Sequence, residues 1–70
     1  MSKVVVLGAG QWGTTMAQVL SDAGNHVLMW GRNQDVVDEI NSNHTNSKYL
    51  DDNLLPVGLK ATTDLQEAFN

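Results

Sequence analysis

An apolar run near the N-terminus passes directly into three closely spaced glycines, and this junction constrains the fold more than any other feature. Residues 4–7 read Val-Val-Val-Leu, and Gly8, Gly10 and Gly13 follow at the spacing G-x-G-x-x-G. Between a buried strand and a helix, this spacing is typical of dinucleotide-binding domains. Gly8 permits a tight turn, Gly10 lets a pyrophosphate approach the backbone, and Gly13 lets the helix pack closely on the strand.

The phosphates of such a ligand are expected at the N-terminus of the helix that begins after Gly10. Free N–H groups and the positive end of the helix dipole favour anions at this position. A glycine-rich turn in another kind of α/β domain is the alternative. The apolar run before the glycines and the helical pattern after them favour the dinucleotide site.

Length and composition exclude several classes of function. Seventy residues form at most one small domain, and the absence of cysteine excludes disulfides and thiolate–metal sites. No other spacing indicates a metal site. A net charge of −4 with four scattered basic residues argues against a nucleic-acid interface. The longest apolar run, residues 4–7, is too short for a membrane span, so we expect a cytoplasmic protein.

The hydrophobic pattern predicts alternating strands and helices along the first forty residues. Residues 4–7 and 26–30 are expected to be buried strands. A helix is expected over residues 11–23, and a second helix should begin after Asn33, whose side chain is suited to capping it. The predicted inner faces of the two helices are Trp12, Met16, Val19, Leu20 and Ala23 in the first, and Val36, Val37 and Ile40 in the second.

The second half of the chain is less regular. Residues 41–58 show little periodicity and are predicted to be a long loop. Residues 59–62 are expected to form a short third strand, followed by a helix capped by Thr63 or Asp64. Apolar residues should dock the loop on the domain, namely Tyr49, Leu50, Leu54, Leu55 and Pro56. The apolar residues of the last helix, which has barely begun when the sequence stops, are Leu65, Ala68 and Phe69.

This order of elements predicts an α/β fold, the first βαβαβ half of a Rossmann-type doubly wound parallel sheet, truncated, with strand order 3-2-1. Residues 1–70 would then form the N-terminal part of a dinucleotide-binding domain, without a substrate domain. One face of the sheet and the edge of the first strand would lack the cover that the second half normally provides. We therefore expect a piece of a longer protein that is prone to self-association.

The residues after the second predicted strand bear on the choice of cofactor. An acidic side chain there would bind the adenosine ribose of NAD, but the sequence reads Gly31-Arg32-Asn33. Arginine pairs well with a 2′-phosphate, so Arg32 favours NADP over NAD. The alternative is a surface arginine that pairs with Asp35 or is solvated. Trp12 is equally ambiguous, since it could shield the pyrophosphate, stack on the cofactor or be the first core residue of the helix.

Residues 8–15, Gly-Ala-Gly-Gln-Trp-Gly-Thr-Thr, resemble the glycine loop of bacterial NAD(P)-dependent glycerol-3-phosphate dehydrogenases, which typically reads GAGxWGT. The similarity continues in Leu-Met-Trp-Gly-Arg at residues 28–32 and in N-x-x-H-x-N-x-x-Y-L at residues 41–50. It extends to Leu-Pro at 55–56 and Ala-Thr-Thr-Asp-Leu at 61–65. Two features depart from the family pattern, because Gln11 stands where serine is usual and Asp-Asp-Asn at 51–53 replaces a common Pro-Gly.

The resemblance implies reversible hydride transfer between NADPH or NADH and dihydroxyacetone phosphate, giving sn-glycerol 3-phosphate for phospholipid synthesis. It implies that Gln11 and Trp12 contact the cofactor near its phosphates. Arg32, with Asn33, would hold the adenosine end, with NADPH preferred. Tyr49 would close over the site, although simple packing of the loop also explains it.

The catalytic lysine and the substrate domain of this family lie beyond the last residue of the sequence. We therefore expect no catalytic residue in the chain and no activity from the chain alone. His44 is more plausible as a residue that structures its loop than as a catalyst. The alternatives are a non-enzymatic NAD(H)-sensing module and a dehydrogenase of the hydroxyacyl or ketopantoate type.

Overall fold

A computed structural model describes residues 2–50 and 53–69 of the chain. Its elements follow the predicted order, with one additional short helix, α3. They are β1 (Lys3–Leu7), α1 (Gln11–Asp22), β2 (His26–Trp30), α2 (Gln34–Asn43), α3 (Ser47–Leu50), β3 (Lys60–Thr62) and α4 (Leu65–Ala68). The departure from the family pattern at positions 51 and 52 lies outside the described residues.

The three strands form one parallel sheet with β2 in the centre, as predicted. β1 pairs with β2 along its whole length, from Lys3 opposite His26 to Leu7 opposite Trp30. β3 pairs with the last three residues of β2. The carboxyl ends of the strands therefore meet at one edge of the sheet, where the loops after β1 and β2 emerge side by side.

The main core lies between one face of the sheet and helices α1 and α2. Alternate strand residues point to the same face, so Val27 and Met29 of β2 are buried together with Ala61 of β3. Val4 and Val6 of β1 pack against this core from the edge of the sheet. Its other members come from the helices and the chain before β3: Ala17, Val36, Val37, Ile40, Leu55 and Leu59.

The opposite face of the sheet is less covered. Val5 and Leu28 are half-buried there, and Leu7 at the end of β1 is 60% exposed. α4 contacts β2 and β3. Asp64 is its N-cap, with a carboxylate that accepts hydrogen bonds from the N–H groups of residues 66 and 67. Of the apolar residues around this helix Ala68 is buried, whereas Leu65 (47%) and Phe69 (65%) are exposed.

Close contact at Gly13 determines which face of α1 packs on the sheet. A Cβ atom on Gly13 would collide with the carbonyl group of Gly8, so the helix approaches β1 along this glycine. The residues that follow on the same face, Thr14 and Ala17, are fully buried. The rotation of the helix is therefore determined by the glycine and not by the largest apolar side chains.

The predicted inner stripe of α1 is consequently wrong for every member except Leu20. Leu20 is half-buried and packs against the core, but Ala23 lies in solvent as the C-cap residue. The three other side chains of the stripe are exposed: Trp12 (83%), Met16 (49%) and Val19 (60%).

The prediction of one long loop over residues 41–58 is also wrong. α2 continues to Asn43, and its C-cap residue, His44, adopts a left-handed conformation with φ of 58°. α3 then forms within the supposed loop, because the carbonyl oxygen of Asn46 accepts from the N–H groups of Tyr49 and Leu50. Docking is confirmed for Leu50 and Leu55, which pack in or against the core, whereas Leu54 is 73% exposed.

We predict that Gly13→Ala destabilises the fold by about 1–3 kcal/mol, because a methyl group at this position overpacks the contact with β1. Urea-induced unfolding measures the change. Gly58→Ala is the matched control, since its added Cβ meets no atom within 4 Å, and we expect it to shift stability by less than about 0.5 kcal/mol. Equal stability of the two variants would contradict this account of the helix position.

Candidate functional site

An open cavity of about 410 Å³ lies at the carboxyl ends of β1 and β2. Clefts at this edge of a parallel sheet are the usual ligand sites of doubly wound folds. The loops that follow the two strands form most of its wall, and α3 contributes one aromatic side chain. The lining residues are Leu7, Gly8, Ala9, Gly10, Trp30, Gly31, Arg32, Asn33, Val36 and Tyr49.

The loop between β1 and α1 presents backbone to this cavity. Gly8 has φ of +114°, a conformation that side chains disfavour, and its N–H donates to the carbonyl oxygen of Trp30 at 2.7 Å. α1 begins after Gly10, and within the described chain no side chain caps this helix. The N–H groups of its first turn are therefore available to an anion at the mouth of the cavity.

The structure brings five of the eight residues predicted for the cofactor site to one cavity, namely Gly8, Gly10, Arg32, Asn33 and Tyr49. The three others lie elsewhere. Gly13 packs behind the loop against Gly8, as the glycine spacing implies. Gln11 and Trp12 line a separate shallow concavity together with Thr15. Trp12 is therefore not a core residue of the described fold.

Arg32 and Asn33 have different local roles. Arg32 is exposed and makes no salt bridge to any residue in 2–50 or 53–69, so the suggested pairing with Asp35 is not observed. The Asn33 side-chain oxygen accepts from the N–H groups of Asp35 and Val36 at 2.9 and 3.3 Å, which caps α2 as predicted. Arg32 thus lies directly before the capped start of α2, with its guanidinium available to a ligand.

Tyr49 reaches the cavity from α3. Its ring is partly exposed, and the Lys48 ammonium lies 5.5 Å from the ring centroid. The backbone N–H of Tyr49 donates to the carbonyl oxygen of Asn46 at 3.1 Å. Tyr49 and Gly10 therefore line the same cavity, although 39 positions separate them in the sequence.

Asn46 is a site feature that the sequence reading missed. It is fully buried, and its amide nitrogen donates to the Ala9 carbonyl oxygen at 3.0 Å and to the Thr14 hydroxyl at 2.9 Å. The Thr14 hydroxyl donates in turn to the same Ala9 oxygen at 3.2 Å. The N-x-x-H-x-N pattern includes Asn46, but the segment was predicted to be an irregular loop docked by its apolar residues, with no role for this amide.

The segment that carries Asn46 is held by Glu39 of α2. One carboxylate oxygen accepts from the Thr45 hydroxyl at 2.6 Å and from the Ser47 N–H at 2.8 Å, and the other accepts from the Ser47 hydroxyl at 3.0 Å. The hydrogen bond from Thr45 and then that from the Ser47 backbone lower the pKa of Glu39, and partial desolvation opposes them.

The chemical groups around the cavity suit binding more than catalysis. Arg32 and the tyrosine hydroxyl are the ionisable groups of its wall, and neither His26 nor His44 lines it. No group of three potential metal ligands occurs in the described part of the chain. Among the same residues, no helix is long and apolar enough to cross a membrane.

A sequence model of the family described as NAD-dependent glycerol-3-phosphate dehydrogenase N-terminus matches residues 3–70. The chain belongs to this family. A glycerol-3-phosphate dehydrogenase [NAD(P)+] from an Exiguobacterium species is 56% identical over all 70 residues, and one from Streptococcus uberis is 52% identical over 66 residues. Family membership supports NAD or NADP as the cofactor.

Solved structures agree with this membership and with the Rossmann-type fold. The glycerol-3-phosphate dehydrogenase of Coxiella burnetii superposes with a TM-score of 0.87 at 39% identity, covering 96% of this chain and 21% of that one. That of Plasmodium falciparum gives 0.87 at 34% identity, covering 97% and 22%. The chain likewise spans 20% of the length of the Exiguobacterium relative.

The lowered pKa of Glu39 predicts how this part of the fold responds to acid. Because the folded pKa lies below the unfolded value, the stabilising contribution is complete above the unfolded pKa, near 4.5, and is lost as pH falls through the folded pKa. We expect Glu39→Gln to lower the melting temperature at neutral pH, and this deficit to shrink below about pH 4.5.

Thermal unfolding of the protein and the variant across this pH range measures the effect. Glu67→Gln is the matched control, because Glu67 is exposed in α4 and its carboxylate accepts no hydrogen bond among the described residues. A deficit of Glu39→Gln that stays constant from neutral to acid pH would contradict the assignment.

Proposed function

We propose that this chain is the dinucleotide-binding part of a glycerol-3-phosphate dehydrogenase. The full enzyme would transfer hydride between NADPH or NADH and dihydroxyacetone phosphate, giving sn-glycerol 3-phosphate for phospholipid synthesis. The observation that carries the proposal is the cavity in which the glycine loop meets Arg32, within a chain that matches the family over residues 3–70. The curated relatives carry the activity in their names.

The residues of the cavity fit a dinucleotide. The exposed N–H groups at the start of α1, beside Gly8 and Gly10, would bind the pyrophosphate, with Gly13 keeping the helix close behind them. Arg32 would pair with the 2′-phosphate of NADPH, and Asn33, on the same wall of the cavity, would hold the adenosine end with it. Tyr49 would cover the bound cofactor from α3. When bound, the cofactor supplies the hydride.

Gln11 and Trp12 are proposed to contact the cofactor from the side of the second concavity. Both lie in the first turn of α1, next to the N–H groups that would bind phosphate. Trp12 is exposed, so its ring is available to shield the pyrophosphate or stack on the ligand. The chain would supply no group that protonates the substrate carbonyl, and that role would belong to the rest of the enzyme.

We further propose that the isolated chain self-associates and that the full enzyme works in the cytoplasm. The support for self-association is the exposed apolar surface of α1, where Trp12, Met16 and Val19 lie in solvent. Sedimentation velocity of the chain over a range of concentrations tests it. A strictly monomeric chain at high concentration would refute self-association. The cytoplasmic location of the full enzyme is tested separately, by fractionation of cells that express it.

We predict that Arg32→Asp in the full-length enzyme weakens NADPH binding about 10- to 100-fold more than NADH binding, because a charge-assisted hydrogen bond to the 2′-phosphate becomes a repulsion. Isothermal titration with each cofactor measures the two dissociation constants. Lys60→Asp is the matched control, since it changes the net charge equally at a residue outside the cavity. Equal losses for NADPH and NADH would remove Arg32 from the 2′-phosphate site.

Activity itself is tested with the full-length enzyme. We expect the enzyme to oxidise NADPH only when dihydroxyacetone phosphate is present, and the decrease in NADPH absorbance measures the rate. Dihydroxyacetone without its phosphate is the control substrate. An enzyme that binds NADPH but does not consume it with dihydroxyacetone phosphate would refute the dehydrogenase and leave a nucleotide-sensing module.

A further inference from the structure

We propose that Asn46 is a positioning residue that aims the peptide between Ala9 and Gly10 at the phosphates of the dinucleotide. The inference rests on the proposed function, because it assigns a role in the same site. The observation behind it is the buried hydrogen-bond network in which the Asn46 amide and the Thr14 hydroxyl both donate to the Ala9 carbonyl oxygen.

Two donors hold the Ala9 carbonyl oxygen toward the interior of the protein. The C=O and N–H groups of a planar trans peptide point in opposite directions. Since the Ala9 oxygen points inward, the N–H group of Gly10 must point outward. Ala9 and Gly10 both line the cavity, so this N–H faces the space in which an anion would lie. Asn46 thus orients a phosphate-binding donor without touching the ligand.

The orientation of the Asn46 amide follows from its neighbours. The Ala9 oxygen only accepts hydrogen bonds, so the amide nitrogen and not the amide oxygen must face it. The amide oxygen is then buried and finds no hydrogen-bond donor among the described residues. An unpaired buried carbonyl opposes stability. Asn46 is therefore not explained by stability alone, which a well-packed apolar residue would serve better.

The backbone of Asn46 links this network to the other wall of the cavity. Its carbonyl oxygen accepts from the N–H groups of Tyr49 and Leu50 at 3.1 and 2.7 Å, which starts α3 and places Tyr49. Its side chain meanwhile holds the glycine loop. Glu39 fixes the residues on either side of Asn46 through Thr45 and Ser47. Asn46 therefore connects the two sides of the cavity, since its side chain holds the glycine loop and its backbone carbonyl places Tyr49.

The test compares two asparagines that each make two side-chain hydrogen bonds to a distant segment. Asn46→Leu removes the donors to the glycine loop and leaves the backbone carbonyl that starts α3. Asn41→Leu is the matched control, because within the described residues the Asn41 side chain bonds only the N–H and carbonyl groups of Ala61, both at 2.8 Å, away from the cavity. Both variants are made in the full-length enzyme and studied below their melting temperatures.

The dissociation constants of two ligands distinguish a misoriented glycine loop from a general loss of structure. NADPH contains the pyrophosphate, whereas adenosine 2′-monophosphate contains only the adenosine end and the 2′-phosphate. We expect Asn46→Leu to raise the dissociation constant of NADPH about tenfold and that of adenosine 2′-monophosphate less than about twofold. Asn41→Leu should leave both constants within about twofold of the unsubstituted enzyme even if it lowers the melting temperature.

Each outcome decides the matter. Equal effects of Asn46→Leu and Asn41→Leu on NADPH, or equal losses for the two ligands, would overturn the positioning role while the proposed function stands. Failure of the unsubstituted enzyme to bind NADPH would overturn the proposed function instead. If Asn46→Leu does not fold, Thr14→Val removes one donor to Ala9 with little change in volume and should show the same ligand dependence, and Thr14→Ser, which keeps the hydroxyl, should restore NADPH binding.

Discussion

The close approach of α1 to β1 at Gly13 is the constraint on which the rest of this structure depends. Because no side chain fits between this position and the Gly8 carbonyl, the helix begins directly against the end of the strand. The same contact determines the helix rotation, which buries Thr14 and Ala17. It also leaves the first-turn N–H groups at the mouth of the cavity. Packing and anion binding are therefore consequences of one steric requirement.

Burying Thr14 creates a need for polar partners, and the chain meets it with a residue from a distant segment. The hydroxyl of Thr14 lies between the Ala9 carbonyl and the Asn46 amide. Buried polar groups of this kind are tolerated when they are hydrogen-bonded, and they fix a specific arrangement. The carboxylate of Glu39 then holds the backbone around Asn46. The glycine loop is thus supported by α2 and α3 as well as by its own strand.

The apolar residues left in solvent form the other notable feature of the fold. Trp12, Met16 and Val19 line one side of α1, and Leu7 is exposed at the end of β1. The chain spans about a fifth of the length of the curated relatives and solved structures that it matches. Exposed apolar surface of this kind usually marks an interface. The exposed apolar surface of α1 and β1 is thus consistent with a chain that matches only about a fifth of the length of its relatives.

The sequence by itself determined the strand order, the parallel sheet and the glycine turn, because these follow from local hydrophobic runs and from residues with special backbone freedom. It also placed Arg32 and Asn33 at the end of β2, since strand ends of a parallel sheet share one edge. Only the tertiary structure decided the rotation of α1, the helix α3 and the burial of Asn46. Their causes are contacts between segments far apart in sequence: the Gly8 carbonyl against Gly13, and the glycine loop against residue 46. Local periodicity carries no information about such contacts, so the large apolar side chains of α1 were assigned to the core and a structured polar segment was assigned to a loop.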